Sequence, residues 1–239
     1  MPLPTAENAS PAMAQWFDLK HQEPDALLFF RMGDFYELFF SDAQAAAMAL
    51  DIALTARGTH QGEPIPMCGV PVAAAPAYLS RLIRRGFRVA VAEQTQAPPK
   101  KGEKPQKGPL ARAIVRVVTP GTLTEDELLE AGRANLLLAI ARSPEKRAKT
   151  VGAAWIDIST GAFETASVPE NALPELMARL DAAEILSEPD LIPPDYASRL
   201  APVAVPPTLA RARTLVARAY GVAQLAALGD LPPAQAIAR

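Results

Sequence analysis

Two apolar, aromatic runs on either side of a glycine constrain this chain more than any other feature. Ala26 to Phe30 (ALLFF) is followed by Met32-Gly33-Asp34 and then by Phe35 to Phe40 (FYELFF). Gly followed by Asp is turn chemistry. The first run reads as a buried strand. The second is ambiguous by period, but its aromatic content favours a strand. Alternate residues of a strand share a face, so Phe35, Glu37 and Phe39 lie on one side and Tyr36, Leu38 and Phe40 on the other. The second set is a plausible core face. The first puts a phenyl ring and a carboxylate about 6.5–7 Å apart along the strand. A carboxylate on a buried face is costly, so this side is expected to be at least partly exposed.

The segments around this pair alternate between helix and strand. Ser10-Pro11 starts a helix that carries Met13, Trp16, Phe17 and Lys20 at helical spacing. Ser41-Asp42 is expected to cap an alanine-rich helix running to about Leu50, with a short strand at Ile52–Thr55. Gly and Pro punctuate Thr59–Pro76, which reads as a loop. A helix from Tyr78 to Arg85 ends at Gly86, a good C-terminal stop. Strands follow at Phe87–Ala92 and Ala113–Val118, separated by the Pro/Gly/Lys stretch PPKKGEKPQKGP, and Thr119-Pro120-Gly121 stops the second of them. The acidic segment Glu125–Glu130 looks like a linker. Beyond it, strands are expected at Asn135–Ala141, Val151–Ile158, Ala162–Val168, Ile185–Ser187 and Val203–Val205, with helices at Leu173–Ala183 and Leu209–Tyr220. This alternation indicates an α/β sheet domain.

The net charge of −2 hides an uneven distribution. Residues 81–116 hold ten Lys and Arg against two Asp and Glu, whereas residues 1–80 hold three against nine. A segment this basic is the kind that phosphates attract. The N-terminus MPLPTAENAS has neither a basic start nor an apolar run, so no secretory signal is read there. The single cysteine, Cys68, excludes an internal disulfide and suggests a reducing compartment, most simply the cytoplasm. Nothing fits a Walker-type phosphate loop or a G-x-S-x-G nucleophile elbow. His21 and His60 lack the partner cysteines or spaced carboxylates of a zinc site. By pattern alone two readings of Phe35 and Glu37 stay open. Phe35 is either a core residue beside an ordinary surface glutamate, or an exposed wedge that enters between base steps while Glu37 meets a base edge.

The stretch Arg31-Met32-Gly33-Asp34-Phe35-Tyr36-Glu37-Leu38-Phe39 closely resembles the mismatch-recognition motif of the MutS family. The likeness continues in family order through LDIALTARG at 50–58, GEPIPMCGVP at 62–71, YLSRLI at 78–83 and VAEQ at 91–94. It resumes at VRVVTPGT, 115–122, NLLLAI, 135–140, and DISTGAF, 157–163, and thins after about residue 165. The resemblance implies a mixed-sheet α/β mismatch-recognition domain over 1–120, a linker over 121–133 and a ribonuclease-H-like α/β connector domain over 134–239, truncated at its C-terminal end. It makes Phe35 the ring that stacks on a mispaired base from the minor groove and Glu37 the group that hydrogen-bonds that base. Arg57 matches a backbone-contacting arginine, and Met67 the methionine of a loop along the groove. Arg112 and Arg116 match basic residues near DNA. Val72-Ala73-Ala74 departs from the family's Tyr-His-Ala, so no contact of those residues transfers.

The same resemblance implies mismatched double-stranded DNA and a MutL-type repair protein as partners, no membrane, and a homodimer in the full-length protein. No cofactor is expected for this stretch, ATP and Mg²⁺ belonging to the family's ATPase part. The ribonuclease-H-like sheet raises an alternative, a metal-dependent nuclease. Asp157 sits where such folds place a metal-binding carboxylate, and Glu164, Glu184 and Asp190 are the candidates to converge on it. A third reading makes the second half purely an interaction module.

Overall fold

The structure, a computed structural model, describes residues 5–96, 108–124, 129, 132–143, 149–201, 208–219 and 221. Lys100, Lys101, Lys104 and Lys107, most of Glu125–Glu130 and the strand expected at Val203–Val205 lie outside the described residues. The chain divides into two compact units, Met1–Thr119 and Pro120–Arg239.

The first unit runs α1 (Pro11–Gln22), β1 (Leu27–Met32), β2 (Phe35–Phe39), α2 (Phe40–Leu50), β3 (Thr55–His60), β4 (Glu63–Pro71), α3 (Ala75–Arg84), β5 (Val89–Gln94) and β6 (Arg112–Val118). The strands form one sheet in the order β3-β4-β2-β1-β5-β6. β1 and β5 are parallel, and every other pairing is antiparallel. β1 and β2 form the expected tight hairpin, closed by the pair Met32 and Phe35. Gly33, first of the two turn residues, has φ +64°. Two-residue hairpin turns that match strand twist need this left-handed conformation, which glycine adopts without strain. The Ser10 hydroxyl accepts the Met13 N–H at 3.4 Å, capping α1 as the sequence indicates.

α1 covers one face of the sheet, where Trp16 and Phe17 pack with Leu28, Phe30, Phe39, Phe40, Ala90 and Ala92. α2 and α3 lie against strands of the other face, that of Tyr36, Leu38, Cys68 and Val70. Phe40 departs from the alternation expected of it. β2 ends at Phe39, and Phe40 enters α2 through a left-handed backbone at φ +53°. Its ring therefore joins Phe39's side, 5.0 Å from the Trp16 ring. Asp42 is not a cap either, for α2 begins with no side-chain cap. It is buried, paired with Lys20 at 2.9 Å, and accepts the Leu28 N–H at 2.9 Å.

The region expected to be a loop, 59–76, is largely strand β4, hairpinned to β3 through Gln61-Gly62. The short strand expected at Ile52–Thr55 begins instead at Thr55. The three prolines of β4 are compatible with a strand because of where they fall. β3 pairs with residues 63–67 and β2 with residues 67–71, so Pro64, Pro66 and Pro71 each have a ladder on one side only. Proline is tolerated where its missing N–H is not needed.

The second unit contains β7 (Leu136–Arg142), β8 (Thr150–Asp157), β9 (Ala162–Pro169), α4 (Leu173–Leu180), β10 (Glu184–Leu186) and α5 (Leu209–Ala219). Its sheet order is β10-β7-β8-β9, with β10 parallel to β7. Leu138, Ile140, Val151 and Trp155 pack against Leu173, Leu176 and Met177 of α4. That helix stops short of Ala183 because Asp181 turns left-handed at φ +44°. Gly121 donates its N–H to Glu184 at 2.9 Å, and a Cβ on Gly121 would stand 2.8 Å from the Glu184 Cβ. This close approach explains the glycine.

Candidate nucleic-acid interface

The antiparallel register places side chains in rows across one face of the first sheet. One row runs Gly69, Glu37, Phe30, Ala92 and Ile114; the next contains Pro71, Phe35 and Met32. Arg112, paired with Gln94, belongs to the second row. Phe35 stands at the end of this face beside the hairpin turn, and 46% of its surface is exposed. The face then closes quickly. Glu37 is buried at 7% exposure, and Phe39, one step further, is in the core. The expectation that this face would be exposed therefore holds for Phe35 and fails for Glu37. α1 covers the strand's inner end, and the alternation of a strand carries no information about how far a helix reaches along it.

The burial of Glu37 is offset by two cations. Its Oε1 accepts from Arg57 Nη1 in an ion pair, while its Oε2 is buried with no hydrogen-bond partner among the described residues. The Arg112 guanidinium stacks over the Phe30 ring at 4.6 Å and donates to the Arg31 carbonyl at 2.6 Å. Burial pushes the Glu37 carboxyl above its ordinary range, and the charges of Arg57 and Arg112 pull it back in part. The folded chain therefore holds a proton on Glu37 more tightly than the unfolded chain does. Stability from this group is complete below the ordinary glutamate range and is lost as pH rises through the raised folded value. Glu37→Gln is accordingly expected to raise the melting temperature at pH 7, with the gain shrinking as pH falls into the acid range. Thermal unfolding of both chains across that interval reads this directly; a gain that grows on acidification contradicts the assigned direction.

Behind Phe35, on the opposite face, Tyr36 donates its hydroxyl to Glu93, and Arg31 pairs with the same carboxylate at 3.5 Å. These contacts fasten the hairpin end to β5. Sequence reasoning assigned no site role to Arg31, Phe30, Gly69 or Glu93, although the motifs RMGDFYELF, GEPIPMCGVP and VAEQ contain Arg31, Gly69 and Glu93. Met67 is not on a loop. It is a residue of β4, partly buried against the α1-side core. Arg116 is exposed on β6 opposite Val91, on the face of Tyr36 and not that of Glu37. The register thus brings Phe35, Glu37, Arg57 and Arg112 together and leaves Arg116 apart.

Comparison with known proteins matches the family model for MutS domain I to residues 10–127 and that for MutS domain II to residues 135–236. The chain belongs to the MutS family. The DNA mismatch repair protein MutS of Granulibacter bethesdensis is 56% identical over 230 residues, which is 96% of this chain and 24% of that protein. The DNA mismatch repair protein MutS of Caulobacter vibrioides is 47% identical, over 95% of this chain and 26% of that protein. The chain thus spans about a quarter of the length of these MutS relatives.

Among the described residues, the domain II part of this MutS-family chain does not gather the carboxylates that a nuclease reading requires. Asp157 accepts from the Ser159 hydroxyl at 2.6 Å, the Ser159 N–H at 2.9 Å and the Asn135 N–H at 3.2 Å. The Ser159 hydroxyl contributes most to holding its carboxyl below the ordinary range, so it is an ionised turn-former. Glu164 lies across from Trp155, Glu184 holds Gly121, and Asp190 pairs with Arg142 at 2.8 Å. Among the described residues no three His, Cys, Asp or Glu side chains are grouped to hold a metal ion. No helix of the described residues is long and apolar enough to cross a membrane.

Proposed function

We propose that this chain recognises mismatched or unpaired bases in double-stranded DNA, as the reading part of a mismatch-repair protein, by inserting Phe35 from the minor groove. The observation that carries this reading is the half-exposed Phe35 ring at the end of the hairpin, two residues from a buried carboxylate whose Oε2 has no hydrogen-bond partner among the described residues. A mismatched step is weakly stacked and easily kinked, so opening it costs less than opening a paired step. An aromatic wedge therefore senses deformability rather than sequence, which suits a target that occurs in every sequence context. Glu37 tests the displaced base. Arg57 and Arg112 supply positive charge beside it, and the Lys-rich stretch at 98–109 adds phosphate contacts.

In this reading the chain itself catalyses nothing. ATP and Mg²⁺ binding and homodimer formation belong to other parts of the full-length protein, and the second unit offers a surface to a MutL-type partner. The central test compares affinity for mismatched and matched duplexes of one sequence. Equal affinity for both refutes the proposal. A salt series sharpens it. The logarithm of affinity is expected to fall linearly with the logarithm of salt, and changing Lys100, Lys101, Lys104 and Lys107 to Ala should flatten the slope by about 0.9 for each lysine that neutralises a phosphate. An unchanged slope takes that stretch off the DNA.

A further inference from the structure

β6 changes sides partway along. Its ladder to β5 shifts register between Val91 and Ala92, so that Val115, between Ile114 and Arg116, has no partner on β5. A bulge of this kind re-aims side chains. Arg116, opposite Val91, faces the Tyr36 side, whereas Ile114 and Arg112 face the side of Phe35 and Glu37. From there the Arg112 side chain reaches across β5 to the foot of the wedge hairpin. Nε donates to the Arg31 carbonyl at 2.6 Å, Nη2 to the Met32 sulfur at 3.1 Å and Nη1 to the Leu110 carbonyl at 2.6 Å. The guanidinium also lies over the Phe30 ring, 4.6 Å from its centroid. Each of its three nitrogens is thus committed to the chain. Two of the three acceptors belong to the last residues before the turn, and Met32 is the partner of Phe35 in the pair that closes the hairpin.

We propose that Arg112 is a positioning residue for Phe35, bracing the foot of the hairpin so that the ring holds its place when a base step presses on it. The inference rests on the DNA-reading function above. A wedge discriminates only where opening the step costs less than displacing the wedge. If the hairpin yields, the ring need not enter, and matched and mismatched duplexes bind alike through their phosphates. A phosphate ligand would behave differently, because its loss weakens both affinities together.

The test is a double-mutant cycle in the intact protein, reading the ratio of mismatched to matched affinity. Arg112→Lys keeps the charge and loses the planar fork. It should lower the ratio about tenfold, the size expected for losing one hydrogen bond to a charged group. In a Phe35→Ala background the same change should leave the ratio where that background puts it, because no ring remains to be held. Met32→Leu, which removes the sulfur acceptor and keeps the volume, should lower the ratio in the same direction by less. Arg112→Gln should keep the parent's slope of log affinity against log salt, whereas loss of a phosphate ligand would flatten it by about 0.9. Hydrogen–deuterium exchange of the DNA-free protein gives a reading apart from binding. In Arg112→Lys the amides of residues 31–36 should exchange faster, with those of α2 and β4 as in the parent. An unmoved ratio in either Arg112→Lys or Met32→Leu, an equal loss in the Phe35→Ala background or a flattened salt slope overturns the inference. So does faster exchange throughout the first unit, which would give Arg112 a general structural role. A parent protein with no mismatch preference overturns the underlying reading instead.

Discussion

Phe35→Ala is expected to abolish most of the preference for mismatched DNA while leaving the fold intact. Stacking of an aromatic ring on a base is worth about 1–3 kcal/mol, so the ratio of mismatched to matched affinity should fall between about fivefold and more than a hundredfold. Binding to matched DNA should persist, because phosphate contacts supply it. The structural cost should be small. A fully buried Phe changed to Ala loses about 3–5 kcal/mol, but nearly half of Phe35 is already exposed. Gly69, diagonal to Phe35 across the ladder, would place a Cβ 3.6 Å from the ring, so that side of Phe35 carries no side chain. Binding to paired duplexes and thermal unfolding, measured on the same variant, separate the two possibilities. A preference that survives intact, or a loss of stability typical of a core phenylalanine, sinks the wedge.

The largest stability effect is expected at the Lys20–Asp42 pair. Both residues are buried, at 4% and 5% exposure. Lys20 also donates to the Ala26 carbonyl at 2.5 Å, and Asp42 accepts the Leu28 N–H, so one ion pair ties α1, α2 and β1 together. Removing one partner strands a charge in the interior and costs about 3–5 kcal/mol. Asp42→Ala and Lys20→Met should each reach that range. The double variant Lys20→Met with Asp42→Leu should recover much of it, since an apolar pair of similar volume is often neutral to stability. It should remain short of the parent by the Leu28 N–H left without an acceptor, about 1–3 kcal/mol. The chain has two tryptophans, Trp16 in the first unit and Trp155 in the second. A Trp155→Phe background therefore lets Trp16 fluorescence report unfolding of the first unit alone. Single variants that lose less than about 1 kcal/mol would mean that these charges reach water in solution.

The two predictions also mark how much could be read before the structure. By itself the sequence determined the local events: the Gly33 hairpin, the Ser10 cap, the stop at Gly86, and the α/β alternation. The MutS resemblance singled out Phe35 and Glu37. Each of these depends on residues within a few positions of one another, where backbone sterics and short-range hydrogen bonds decide. Tertiary structure alone decided the rest. Pro64, Pro66 and Pro71 read as loop residues until the one-sided pairing of β4 makes them compatible with a strand. Asp42 has the chemistry of a cap, yet the Lys20 ammonium and the Leu28 N–H, 22 and 14 positions away, draw it into the core. Glu37 alternates with Tyr36 as a surface residue would, yet α1 covers its face and Arg57, 20 positions on, compensates its charge. Period and propensity register what a residue's neighbours in sequence require. Whether a charge is buried, and which distant cation makes that tolerable, follows from strand order and register, and these form only when the whole sheet closes.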